Sequence, residues 1–124
     1  DLARAGDYER LSDYVFNAIY SDETLKNNKV LFSLLKMQGN EEDCKRFYTL
    51  ADAIKDFSVT DRLKEIKCET LVIGAKEDKV VSFDAIKLLA DALSCELYAY
   101  DKYGHAVYDE APDIHEKILN FFEK

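Results

Sequence analysis

The chain has 124 residues, 48% of them hydrophobic and 34% charged, which suits one globular domain and is too apolar for a disordered segment. Its net charge of -8, from 25 acidic and 17 basic side chains, disfavours binding to nucleic acid and docking on anionic membrane surfaces. The cysteines, Cys44, Cys68 and Cys95, lack paired spacing, and the histidines, His105 and His115, lie far apart, which argues against a disulfide framework and a zinc site. All three thiols are expected to be reduced and mostly buried in a cytoplasmic protein. No apolar run approaches the ~20 residues of a membrane span. No secretory leader is visible, and the chain opens on Asp1 inside helix-like sequence, so it reads as a piece of a longer polypeptide.

The first half is helical in pattern. Asp7 to Tyr20 places Leu11, Tyr14, Val15, Ala18 and Ile19 on one stripe. Ser21 reads as an N-cap, with Asp22 and Glu23 in an acidic first turn. The helix it opens carries Leu25, Val30, Leu31, Leu34 and Leu35 and is expected to stop near Gly39. Asn40 caps a third helix, whose stripe is Phe47, Leu50, Ala51 and Ile54. Both stripes are expected to pack against a core.

Near Phe57 the pattern changes. Thr60 caps a short helix over residues 61–66. Leu71-Val72-Ile73-Gly74 is short, apolar and β-branched, as for a parallel strand buried on both faces. Ser82 caps a helix with Ala85, Ile86, Leu89, Ala90 and Leu93 on its inner stripe. A second strand follows at Cys95 to Tyr100, and a last helix runs from about Pro112 to the end. The expected fold class is α/β: an incomplete parallel sheet in a βαβα unit, preceded by a helical segment. Two buried parallel strands leave open edges, so a homodimer partner, another assembly or a further segment is expected to cover them.

Ligands of a parallel sheet bind beyond the carboxyl ends of its strands. Asp78 follows the first strand, and Gly104-His105 follows the second. A carboxylate that orients an imidazole, leaving the other ring nitrogen to take a proton, is two thirds of a Ser-His-Asp relay. Glu77 and Asp84 are rivals for the acid role, and each of these residues also has a plain reading as a turn or surface group. Tyr103 and Tyr108, beside the histidine, are candidates to line a pocket; His115, inside the last helix, has no role. The third member of a relay is absent. The glycines, Gly6, Gly39, Gly74 and Gly104, allow no G-x-S-x-G, and Ser21, Ser33, Ser58, Ser82 and Ser94 sit on no strand-to-helix elbow.

Two stretches, D-R-L-K-E-I-K-C-E-T-L-V-I-G-A-K-E-D-K-V-V (Asp61 to Val81) and Y-G-H-A-V-Y-D-E-A-P-D (Tyr103 to Asp113), resemble the last part of an α/β-hydrolase. The resemblance implies that Asp78 is the acid and His105 the base of a catalytic triad. It also implies that residues 59–124 are the C-terminal part of the core and residues 1–58 a helical, cap-like segment. The helical half matches only in being helical. Glu69 and Lys79 stand where the family often has proline. The nucleophile and the oxyanion hole would lie upstream of the residues at hand. The function so implied is that part of a serine hydrolase acting on an ester or similar small acyl substrate without a cofactor, inactive as this chain alone. The alternative is a non-catalytic α/β module that dimerises.

Overall fold

A computed structural model describes residues 1–123; Lys124, at the end of the expected last helix, lies outside the described residues. The chain starts with helix α1 (Tyr8–Ile19), capped by the Asp7 carboxylate, which accepts from the Arg10 amide at 3.1 Å. The helix expected from Ser21 to Gly39 is two helices, α2 (Asp22–Asn27) and α3 (Lys29–Lys36). Ser21 does cap α2, accepting from the Thr24 amide. The break falls at Asn28, whose side-chain amide bonds the Thr24 carbonyl while its backbone leaves the helical region at φ -117° and ψ 26°.

Which face of α3 turns inward also differs from expectation. Val30, Leu31 and Leu34 are exposed, and Phe32 is the buried residue. The Phe32 ring lies 5.0 Å from Phe16 and 4.9 Å from Tyr20, so aromatic contacts with α1 decide the orientation. Helix α4 (Glu41–Ile54) begins with a reciprocal capping box between Asn40 and Asp43. Most of its expected stripe is exposed too: Leu50 and Ile54 face outward, Phe47 is partly covered on the side toward α1, and the helix buries Cys44 against Ala3 and Leu11, with Tyr8, Val15 and Tyr48 around them. Contrary to expectation, only Cys44 of the three free cysteines is buried; Cys95 is half-buried and Cys68 exposed.

After a 3-10 turn (Thr60–Glu65), strand β1 (Leu71–Ala75) leads to helix α5 (Phe83–Leu93) and strand β2 (Glu96–Tyr100). Thr60 is the first residue of the turn rather than its cap. Ser82 caps α5, accepting from the Ala85 amide. The strands pair in parallel, with Leu71 opposite Glu96 and Ala75 opposite Tyr100. Helix α5 lies close on the sheet: a Cβ at Gly74 would sit 2.7 Å from Ile86 Cγ2. Only Gly74 and Ala75 of β1 are fully buried, not the whole strand, because β2 is its one hydrogen-bonded neighbour among the described residues.

Past β2 the chain makes a short helix, α6 (Val107–Glu110), that the sequence pattern does not announce. Helix α7 (Ile114–Phe122) starts two residues beyond Pro112, with Asp113 at its N-cap position. The ends of β1 and β2 pack against these helices in a cluster of Ala75, Tyr100, Val107, Ala111 and Ile114. Tyr100 anchors it from above by donating its hydroxyl to Asp113 at 2.9 Å. Ile114 is 3% exposed at the base of the cluster. Replacing it with alanine is expected to cost about 2–4 kcal/mol of unfolding free energy. Urea titration of the variant beside the parent chain checks this, and a loss under about 0.5 kcal/mol contradicts the assigned core.

Candidate active site

The parallel register decides where the two candidate groups emerge. Ala75 and Tyr100 end their strands side by side, and the Lys76 amide donates to the Tyr100 carbonyl at 3.0 Å. The chain then turns through Asp78 on one side and through Tyr103-Gly104-His105 on the other. Their side chains meet: His105 Nδ1 lies 3.0 Å from Asp78 Oδ2. The rivals lie elsewhere. Asp84 pairs with Lys87 on α5, and Glu77 is exposed.

Asp78 is built to stay ionised. Its side chain is 7% exposed. Oδ1 accepts from the Val80 amide at 2.7 Å and the Val81 amide at 2.9 Å, which fixes the carboxylate plane. Burial pushes the carboxyl up, but the hydrogen bonds from Val81, His105 and Val80 outweigh it and hold the group below the usual carboxylate range. An ionised carboxylate only accepts, so the proton of the 3.0 Å contact is assigned to Nδ1 of the ring. Neutral His105 then carries its lone pair on Nε2, which has no hydrogen-bond partner among the described residues.

The imidazole is 41% exposed and lines an apolar cavity of about 340 Å3. Tyr14, Val15, Ala18 and Ile19 of α1, with Phe47 of α4 and Val80, form most of its wall. Tyr103 and Tyr108 do not line it: Tyr103 packs on the Tyr100 ring at 5.5 Å, and Tyr108 is exposed. His115 is exposed on α7. The wall residues carry no signal in the sequence beyond an amphipathic stripe, because such a stripe reads equally well as core.

The turn bearing His105 is held on the junction between α1 and α2. Gly104 is required there by close approach: a Cβ would lie 2.5 Å from the Ile19 carbonyl oxygen and 2.9 Å from the Ser21 nitrogen. The left-handed residue is the preceding Tyr103, at φ 81°. The Ala106 amide donates to the Ile19 carbonyl at 2.9 Å. Glu110 bridges both sides: Oε2 accepts from the Gly104 amide at 2.5 Å, and Oε1 accepts from the Ser21 amide at 2.9 Å and hydroxyl at 2.6 Å. The sequence reading did not single out Glu110, since its partner Ser21 is distant in the chain. Burial pushes this carboxyl up, but the donors Ser21, Thr24 and Gly104 hold it below its usual range. Among the described residues no group of three or more histidine, cysteine or acidic side chains is placed to hold a metal ion. No helix among them is long and apolar enough to cross a membrane.

These two carboxyls give stability a direction with pH. Each is lower in the folded chain than its ordinary value of 3.8 (Asp78) or 4.5 (Glu110). Their stabilisation is therefore complete above those ordinary values and is lost as pH falls through the lowered folded ones. Urea midpoints measured from neutral pH down to about pH 2 are expected to drop below about pH 4.5, less steeply in Asp78→Asn and Glu110→Gln chains. Equal slopes in all three chains would refute the assignment.

The comparisons with known proteins agree with this architecture. No protein-family model matches the chain. A 2-hydroxy-6-oxononadienedioate/2-hydroxy-6-oxononatrienedioate hydrolase of Pseudomonas putida is 27% identical over 128 residues, covering 86% of this chain and 45% of that protein. A 2-hydroxy-6-oxo-6-phenylhexa-2,4-dienoate hydrolase of Burkholderia cepacia is 29% identical over 112 residues, covering 86% of this chain and 39% of that protein. Among solved structures, the enol-lactonase of Burkholderia xenovorans LB400 superposes with a TM-score of 0.83 at 17% identity, covering 99% of this chain and 48% of that one. The chain thus spans less than half the length of these proteins. Its fold is that of part of an α/β-hydrolase, a helical segment followed by a βαβα unit with a parallel two-stranded sheet.

Proposed function

We propose that Asp78 and His105 are the acid and base of a catalytic triad in a serine hydrolase that cleaves an ester or similar acyl bond. The observation that carries this reading is the 3.0 Å contact between His105 Nδ1 and Asp78 Oδ2, beyond the carboxyl ends of adjacent parallel strands. The hydrolase names of the similar proteins support the reaction class. The nucleophilic hydroxyl comes from polypeptide outside these 124 residues, because none of their serines lies in a G-x-S-x-G elbow.

The chemistry runs through Nε2. As the hydroxyl attacks the acyl carbon, Nε2 takes its proton, and the buried Asp78 carboxylate stabilises the imidazolium that forms. The proton passes to the leaving group as the carbon–heteroatom bond breaks. A water then attacks the acyl intermediate, giving its proton to Nε2, and the nucleophile leaves with that proton. The apolar wall of Tyr14, Val15, Ala18, Ile19 and Phe47 seats an apolar portion of the substrate beside the base. Helices α1 and α4 supply that wall, the part a cap plays over a hydrolase core. The protein is read as a cytoplasmic enzyme needing neither metal nor organic cofactor.

A second reading, a non-catalytic module that dimerises, draws on the outer apolar faces of α5 and α7, where Leu88, Leu119 and Phe122 are exposed beside a two-stranded sheet. Activity separates the two. The complete gene product is expected to hydrolyse an activated acyl ester, and Asp78→Asn is expected to lower kcat by about 10⁴-fold, with His105→Ala lowering it at least as far. The chain alone is expected to show no turnover. Full activity in the His105→Ala gene product overturns the hydrolase reading, and a dimer of this chain in light scattering then favours the module. Turnover by this chain alone, abolished in His105→Ala, overturns the outside nucleophile.

A further inference from the structure

We propose that Glu110 is the positioning residue of the base, its carboxylate fixing the turn that carries His105 against the α1–α2 junction. The inference rests on the reading of His105 as the base. It goes beyond that reading by assigning a role to a carboxylate that touches neither the acid nor the imidazole.

Donors from two segments converge on this side chain: the Gly104 amide on one side, and the amide and hydroxyl of Ser21, with the Thr24 hydroxyl, on the other. They join residues far apart in sequence, so their effect is to hold two segments in register rather than to stiffen one. The Gly104 bond restrains the chain immediately before His105, and the Ala106 amide, bonded to the Ile19 carbonyl, restrains it immediately after. The imidazole therefore projects from a Cα fixed on both sides. Left-handed backbone at Tyr103 is a conformation that a bulky residue keeps only where its surroundings impose it. Close backbone contact at Gly104 imposes the direction of approach, and Glu110 closes it. Beside the acid loop, Lys79 Nζ pairs with Asp22 at the start of α2 at 2.9 Å in a solvent-exposed contact.

Glutamine at position 110 preserves shape and keeps one acceptor oxygen. Whichever way the amide turns, its NH2 replaces one acceptor, facing either the Gly104 N–H or the Ser21 donors. Imidazole NMR of the 15N-labelled chain reads the consequence. His105→Ala identifies the signals of His105 against those of His115. In the parent chain His105 is expected to show a protected Nδ1–H that Asp78→Asn abolishes. Glu110→Gln is expected to keep the folded amide spectrum while the exchange of that Nδ1–H with solvent speeds up by about tenfold or more. Asn40→Ala, which weakens only the distant α4 cap, is expected to leave that exchange unchanged. Unchanged exchange in Glu110→Gln, or equal acceleration in Asn40→Ala, overturns the positioning role. A protected signal that survives in Asp78→Asn overturns instead the acid–base reading beneath it. If Glu110→Gln does not fold, Glu110→Asp, which keeps the charge but draws the oxygens back by one methylene, carries the test: exchange about fivefold faster supports the role, and parental exchange overturns it.

Discussion

Ala75 opposite Tyr100 is the pairing on which the chemistry of this chain depends. Two parallel strands that end in register deliver their following loops to one rim, and each loop here carries one group of an acid–base pair. A shift of one residue in that register would turn the strand side chains to the opposite faces and uncouple the loops. The register is held from above and below. Gly74 lets α5 close on β1, while the cluster around Val107 and Ile114 closes on the strand ends.

At the rim, electrostatics completes what topology begins. Desolvation alone would favour a protonated Asp78, a neutral acid unable to fix the ring tautomer. Two backbone amides and the imidazole reverse that balance. The carboxylate can be both nearly buried and ionised because the Val80-Val81 turn presents its N–H groups to the same oxygen. Packing thereby becomes a statement about protons: the ring nitrogen facing Asp78 is the donor, and the nitrogen left over is the one available for chemistry.

The sequence made the chemical half legible and the helical half only partly so. Leu71–Ala75 and Glu96–Tyr100 are short β-branched or aromatic runs bounded by turn residues, a pattern with one reading. Ser21, Asn40 and Ser82 mark helix starts through a local interaction, side chain to nearby amide, which spacing along the chain captures. The inward faces of α3 and α4 were not legible. Periodicity finds a stripe but not its partner, and Phe32 and Cys44 win because α1 offers Phe16, Tyr20 and Leu11 to them. Glu110 was invisible for a related reason. Its acidic neighbour Asp109 looks no different along the chain, and only folding shows that Glu110 is the one that faces Ser21 and Gly104.

The contacts around Gly104 are made by main-chain atoms of Ile19, Tyr20 and Ser21. Main-chain atoms are the same whatever side chain a residue bears. The side chain at position 19 can therefore be exchanged, reshaping the wall seen by a bound molecule, while the seat of the histidine stays put. Such a joint decouples the tuning of selectivity from the upkeep of the proton-transfer apparatus. At this joint the strict requirements fall on Gly104, on the Glu110 carboxylate and on the backbone path of residues 19–21.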